Sequence, residues 1–351
     1  MSVRTTAREV PRPAAARTRR APGLPIRFAA IWIALLALVA FCAVFVPRSL
    51  LPSTVLAILP LAAFLALAAC GEALVLMARG IDLSIPAVIT LASTLLLGVS
   101  GGRDEALLPA VAAALGAGLA VGLVNGALVA VLELNALIVT LAVGAVASGL
   151  TLSYRESLPA EARVPPGMAA WGDRDLLGVN VAVWLTVALV AVLSVLLRRS
   201  AAGRRFIAVG ANPRAAWISG INVAASQIAA YAVAGVLYAV VGLLLAAFIR
   251  NPTLRVGDAY LLAPIAAAVL GGTAMSGGIG SMIAVAGAAL FLTQLGQVLK
   301  MLGLPTALQF IVYGVAIALG MAIAEFRPAR TFIRPQAWRR ALSASDRRRT
   351  R

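Results

Sequence analysis

The run GRRFIAVGANPRAAWISGINV, residues 203–223, separates two long apolar stretches and decides how the rest of the chain must be laid out. With Arg198 and Arg199 ahead of it, the region from 198 to 222 carries five Arg and no acid. Arg left uncompensated beside an apolar span is retained on the cytosolic side of a membrane. This stretch therefore faces inward and the runs on either side cross. Within it lie the signals of one short helix. Asn212 is a capping residue, Pro213 suits the first helical position and Gly220 suits the stop. Residues 213–219 then make a rod of about 10 Å at ~1.5 Å per residue, with Trp217 and Ile218 as its apolar edge. From these residues alone the rod reads equally as a capped turn in an ordinary loop or as a handle by which a soluble partner pushes on the spans.

The flanking apolar stretches belong to a pattern that runs along most of the chain. Of 351 residues, 62% are hydrophobic and 12% charged, with a mean hydropathy of +0.97; soluble domains lie nearer a half and a quarter. Apolar runs of about 20 residues recur, the signature of bilayer spans. The chain is read as one polytopic membrane domain. Its net charge of +17 is concentrated in the tails at 1–27 and 325–351, with seven and nine Arg. Both tails lie beside spans, without interleaved aromatics or a nucleic-acid motif, so no nucleic-acid partner is expected; the lipid bilayer is, including its anionic surface. Cys42 and Cys70 lie in apolar runs without ligand or disulfide spacing, and there is no His. That removes the commonest general base and metal ligand. The run 28–46 follows a basic segment as a secretory leader would. It is long, lacks a small-x-small site and is followed by more spans, so it reads as a retained first span.

The predicted fold is all-α, a polytopic transmembrane helical bundle of about ten spans with both termini cytosolic. Residues 1–27 are a basic tail whose Arg-, Ala- and Pro-rich composition predicts disorder. Residues 28–324 are the transmembrane domain and 325–351 a second basic tail. Spans are expected at about 28–46, 54–78, a third ending near Ser100, then 106–132, 136–152, 179–197, 226–249, 259–270, 282–299 and 306–324. The fourth carries Gly118/Gly122 and Gly122/Gly126, small-xxx-small pairs that let helix backbones approach closely. The eighth is apolar for only about 12 residues, or ~18 Å, short of the ~30 Å core. Charge decides how to count it. With the N-tail inside, cytosolic segments hold 22 of the 30 Lys and Arg: seven in the N-tail, Arg79, five at 198–222 and nine in the C-tail. Were the eighth segment only to dip in and return, the nine-Arg C-tail would lie outside, so it is counted as a crossing with an unwound inner end.

No Ser/His/Asp set, phosphate loop or metal spacing is present, so no catalytic site and no metal are expected. Outer-loop carboxylates such as Glu156/Glu161 and Asp173/Asp175 are most simply solvated. Three features point to a translocation path. Glycine-rich breaks at 79–86 and 271–281 both fall on the inner face; irregular backbone at membrane depth is tolerated where protein buries it or a cavity wets it. Plain tight turns are the alternative. Glu72 and Asn125 are polar groups within spans, where such groups face the bundle interior or a wet cavity, or serve as structural hydrogen-bond partners. Asp82 either pairs with Arg79 or caps the third span.

These motifs together resemble the permease subunit of ribose-type ATP-binding-cassette importers, the monosaccharide group of the branched-chain permease superfamily. The residues that carry the resemblance are Gly80-Ile81-Asp82-Leu83-Ser84; Gly122, Asn125 and Gly126 with Ile138, Thr140 and Leu141; Gly203, Arg204, Phe206, Ala208, Gly210, Asn212, Ala215, Ala216, Ser219, Gly220 and Ile221; and Gly271, Gly272, Thr273, Gly277, Gly278 and Gly280. They occur in the family's order and cover about 50–325. The resemblance implies a multi-pass protein of the bacterial plasma membrane, with a second permease copy or paralogue completing a dimeric pore. A cytosolic ATPase subunit would bind the ATP, so the permease itself needs no cofactor, and a periplasmic or extracellular solute-binding protein would deliver the solute. Gly203, Arg204, Asn212, Pro213, Arg214, Ala215, Ala216, Trp217, Ile218, Ser219 and Gly220 are then the ATPase-coupling segment. Glu72, Gly80, Ile81, Asp82, Leu83, Ser84, Asn125, Gly126, Thr140, Gly271, Gly272, Thr273, Gly277 and Gly278 are the gate or path candidates. The chain departs from the family at Arg79, at Ile85-Pro86 and at Arg214, where small residues, a Gly-containing continuation and often an acid are usual. The expected cargo is a monosaccharide such as ribose, with nucleosides or branched-chain amino acids as alternatives. An ion-coupled secondary transporter or a membrane assembly or signalling protein are the rivals from other classes.

Overall fold

The structure, a computed structural model, describes residues 26–159 and 162–305 and scattered positions up to 318. The tails at 1–25 and 325–351 and most of the tenth expected span lie outside the described residues. The helices are α1 (Ile26–Phe45), α2 (Pro52–Met77), α3 (Ile85–Ser100), α4 (Leu107–Ala130), α5 (Ala136–Glu156), α6 (Pro166–Gly172), α7 (Val181–Arg199), α8 (Ala201–Ala211), α9 (Pro213–Ile218), α10 (Val223–Ile249), α11 (Ala263–Leu270) and α12 (Met282–Met301). A two-residue hairpin, β1 (Asp175–Leu176) and β2 (Val179–Asn180), precedes α7. Among the described residues, seven helices are long and apolar enough to cross a bilayer: α1, α2, α4, α5, α7, α10 and α12. Polar residues set many of the starts. The side chains of Asn135, Asn180, Ser200 and Asn222 accept the first free N–H groups of α5, α7, α8 and α10.

Two long helices form the centre. α2 has 26 residues and α10 has 27, and they are the most buried of the spans. Each is followed by irregular backbone and then by a short helix, α3 after α2 and α11 after α10. The packing exchanges partners: α3 and α4 lie on α10, α11 and α12 lie on α2, and α2 and α10 touch each other. The small-residue stripe works as the spacing predicts. A Cβ added at Gly118 would strike the Gly235 carbonyl, one at Gly122 the Tyr231 carbonyl, and one at Gly126 would lie 2.7 Å from Ile228 Cα. α4 and α10 therefore meet backbone to backbone, where small residues give dispersion contact that larger ones would block.

Three elements differ from the sequence-based expectation. The stretch before the short inner helix is itself helical: α8 starts on the Ser200 cap and runs to Ala211. The outer segment 153–178 contains α6 and the first strand and turn of the hairpin, with Asp173 ion-paired to Arg250 rather than merely solvated. The eighth segment is helical for only eight residues, about 12 Å of rod. Before it the chain makes only a 3-10 turn at Asp258–Tyr260 and reaches inward, with Gly257 N–H donating to Thr90 Oγ1 at 3.2 Å, near the start of α3.

Candidate functional site

α2 ends in a Schellman turn. Arg79 N–H donates to Leu76 O and Gly80 N–H to Val75 O, both at 2.9 Å, and Arg79 holds the left-handed position at φ 70°. The left-handed position falls on Arg79 and not on Gly80; Gly80 is needed for space, because a Cβ there would strike the Tyr231 hydroxyl. An Arg in a left-handed turn costs about 1–2 kcal/mol. From here the chain runs through 81–84 without helix before α3 begins.

Backbone without a helix inside a bundle leaves N–H groups that must find partners. Side chains from α2, α5 and the break itself accept them, and side chains from α4 and α10 brace those acceptors. The Glu72 carboxylate accepts Asp82 N–H at 3.3 and 3.4 Å and the Tyr238 hydroxyl at 3.4 Å. Thr140 Oγ1 accepts Leu83 N–H at 3.0 Å. Asp82 Oδ1 accepts Ser84 N–H at 2.8 Å and the Ser84 hydroxyl at 2.6 Å, and Asn125 Nδ2 donates to Ser84 Oγ at 2.9 Å. Glu72, Asp82, Ser84, Asn125 and Thr140 are all buried. Asp82 does not pair with Arg79; it stabilises the turn into α3. Asp82 Oδ2, Asn125 Oδ1 and the Tyr231 hydroxyl have no partner among the described residues. The cluster can therefore accept further hydrogen bonds if the break rearranges.

The second break and the inner arm meet the first. Arg79 Nε donates to Gly210 O at 2.7 Å and Nη2 to Ala211 O at 2.8 Å, the last carbonyls of α8. Gly278 N–H donates to Met77 O at 2.9 Å. Gly277, at φ 88°, lies against the Arg79 side chain so closely that a Cβ would come within 2.5 Å of Cγ. Arg198 Nη2 reaches Ser281 Oγ at 3.2 Å, and Gln227 Nε2 reaches Ala78 O at 3.4 Å. The regions assigned to the inner face by charge thus gather at one end of the bundle.

α9 projects from this junction. Asn212 Oδ1 accepts Ala215 N–H at 3.1 Å, Pro213 opens the helix, and Gly220 at φ 78° closes it in a second Schellman turn. Ala216 faces inward and is buried, whereas Trp217 and Ile218 are 71% and 74% exposed. A hollow of about 800 Å³ lies beside it, lined by Trp217, Pro213, Glu133 and Gln227 among others. Another of about 660 Å³ lies between the ends of α7, α8 and α10.

Of the sequence-predicted residues, the structure brings Glu72, Gly80 to Ser84, Asn125 and Thr140 into one cluster and links Gly277 and Gly278 to it through Arg79 and Met77. Gly126 serves the α4–α10 contact, and Gly271 packs against Val285. Arg204 donates to Arg199 O at 2.9 Å across the joint between α7 and α8. Sequence reasoning missed Tyr231, Tyr238 and Gln227, and missed the partner of Arg79. A hydroxyl or amide on an otherwise apolar α10 was the available signal.

The family described as branched-chain amino acid transport system / permease component matches residues 54–321. The ribose import permease protein RbsC of Bacillus subtilis (strain 168) is 33% identical over 294 residues, 83% of this chain and 91% of the relative. The RbsC of Escherichia coli (strain K12) is 32% identical over the same shares. The autoinducer 2 import system permease protein LsrC of Shigella flexneri is 36% identical over 252 residues, 70% of this chain and 71% of the relative. No solved structure matches the chain.

Proposed function

The chain belongs to the branched-chain amino acid transport system / permease component family, and from that premise we propose that it is the membrane-spanning subunit of an ATP-binding-cassette importer that brings a monosaccharide into the bacterial cell. Its relatives are transport permeases, and it is a multi-pass membrane protein. The observation that carries the reading is α9: a capped rod outside the spans, with Trp217 and Ile218 bare, joined to a buried break in the bundle. A cytosolic ATPase subunit grips α9 on each of two permease copies. A solute-binding protein delivers the sugar to the opposite face. ATP binding closes the ATPase pair, displaces the two arms and shifts the pore between outward and inward access, which needs only two packings of modestly different energy.

The test is reconstitution of the permease with its ATPase and solute-binding protein in liposomes, with ATP inside and labelled ribose outside. Ribose should stimulate hydrolysis and accumulate, and Trp217→Asp should reduce uptake at least tenfold while insertion stays intact. Uptake of leucine or a nucleoside in place of ribose would move the cargo to another class. Uptake that follows an ion gradient without any ATPase would remove the importer reading.

A further inference from the structure

We propose that Arg79 is a positioning residue that makes the α8–α9 arm and the break at 80–84 move as one body. This rests on the reading of α9 as the ATPase handle. Arg79 occupies a left-handed position where Gly or Asn is the usual choice, so the side chain must return something for its backbone cost. It does so twice, through Nε to Gly210 O and Nη2 to Ala211 O. Those carbonyls are at the negative end of the α8 dipole, where a cation is favoured. They also immediately precede Asn212, the cap of α9. On the other side, Arg79 is three residues from Asp82, whose N–H is held by Glu72.

The surroundings are fitted to this side chain. Gly277 leaves room for it, while Gly278 N–H clasps Met77 O just before the turn. Gly210 lies so close to Met77 O that a Cβ would collide with it. Three backbone segments from distant parts of the sequence therefore meet around one guanidinium. A push on α9 reaches Gly210 and Ala211, passes through the two-pronged bond to Arg79, and arrives at Asp82 along three residues of chain. A small residue at 79 would keep the turn but remove the link.

The experiment uses the full chain in lipid nanodiscs and hydrogen exchange. Arg79→Gly keeps the left-handed turn free of strain and removes only the side chain. It should speed exchange of the Asp82 and Leu83 amides and of the 213–216 amides at least tenfold, while the α4–α10 contact at 118–126 is unchanged. Arg79→Lys, which still offers a cation to the carbonyls, should recover part of the loss. Unchanged exchange at Asp82 and Leu83 in Arg79→Gly, or an equal rise at 118–126, would overturn the proposal. In the complete importer, Arg79→Gly should raise ATP hydrolysed per ribose taken up about fivefold or more. If Trp217→Asp uncouples and Arg79→Gly does not, the link is wrong. If neither changes the ratio while exchange responds as stated, the link stands and the handle reading of α9 is wrong.

Discussion

The Glu72 carboxylate lies inside α2 with no basic residue paired to it among the described residues, held by one backbone N–H and one tyrosine hydroxyl. Its work in this arrangement is that of an acceptor, which an amide oxygen can share. Glu72→Gln should therefore keep thermal stability and ribose uptake within about twofold of the parent. Glu72→Leu strands Asp82 N–H in a buried site, a loss of about 1–3 kcal/mol, and should lower the melting midpoint in detergent measurably. Loss of uptake in a stable Glu72→Gln protein would instead assign the charge to the transport path. The same residue shows how far local pattern reaches. A lone acid in an apolar run stands out, as do Asn125 within a span and Asp82 and Ser84 at a break. Tyr238, 166 residues beyond Glu72 in sequence, stands out only once the fold places it there. Arg79 was visible as a departure from the family, but its partners at 210 and 211 depend on where α8 ends.

Among the elements, those with chemical punctuation were legible. Asn212, Pro213 and Gly220 bounded α9 to within a residue, and the glycine spacing on α4 named its packing face. α8 was missed because 203–211 was read as part of a polar interruption between spans, although Ser200 supplies a cap and Gly203 and Gly210 are seats for close backbone contact. α11 was short of a span by composition, but its outward continuation as chain threaded against α3 has no periodic signature. The α4 face yields a prediction with an internal control. Gly122→Val puts side-chain atoms into the Tyr231 backbone, whereas Gly116→Val points into space with nothing within 4 Å. Over-packing of this kind costs about 1–3 kcal/mol or more. Gly122→Val should lose most of the monodisperse protein recovered by size exclusion, and Gly116→Val should match the parent. Equal behaviour of the two would mean that α4 and α10 do not meet along this stripe.

For the whole molecule, charge and contact group the same segments at one end of the bundle by independent routes. The positive-inside expectation puts Arg79 and 198–222 on one face through their own Arg residues, and the Gly-rich 271–281 there through the span count that keeps the C-tail inside. Contact puts them together because Arg79 bonds Gly210, Gly278 bonds Met77 and Arg198 bonds Ser281. The agreement matters most for the eighth segment, whose helix is too short to prove a crossing by length. Arg250, before it, pairs with Asp173 near the hairpin, while 277–278, after it, touches α8. The chain between them therefore passes from one end of the bundle to the other. Single cysteines can test this once the two buried natural ones, Cys42 and Cys70, are replaced. Leu177, Trp217 and Met275 are all exposed. In intact cells a membrane-impermeant maleimide should label Leu177→Cys and leave Trp217→Cys and Met275→Cys unmodified; inverted vesicles should give the opposite pattern. Labelling of Met275→Cys together with Leu177→Cys would make the eighth segment a re-entrant loop and break the agreement between charge and contact. Labelling of Trp217→Cys from outside would place α9 beyond the reach of any cytosolic ATPase.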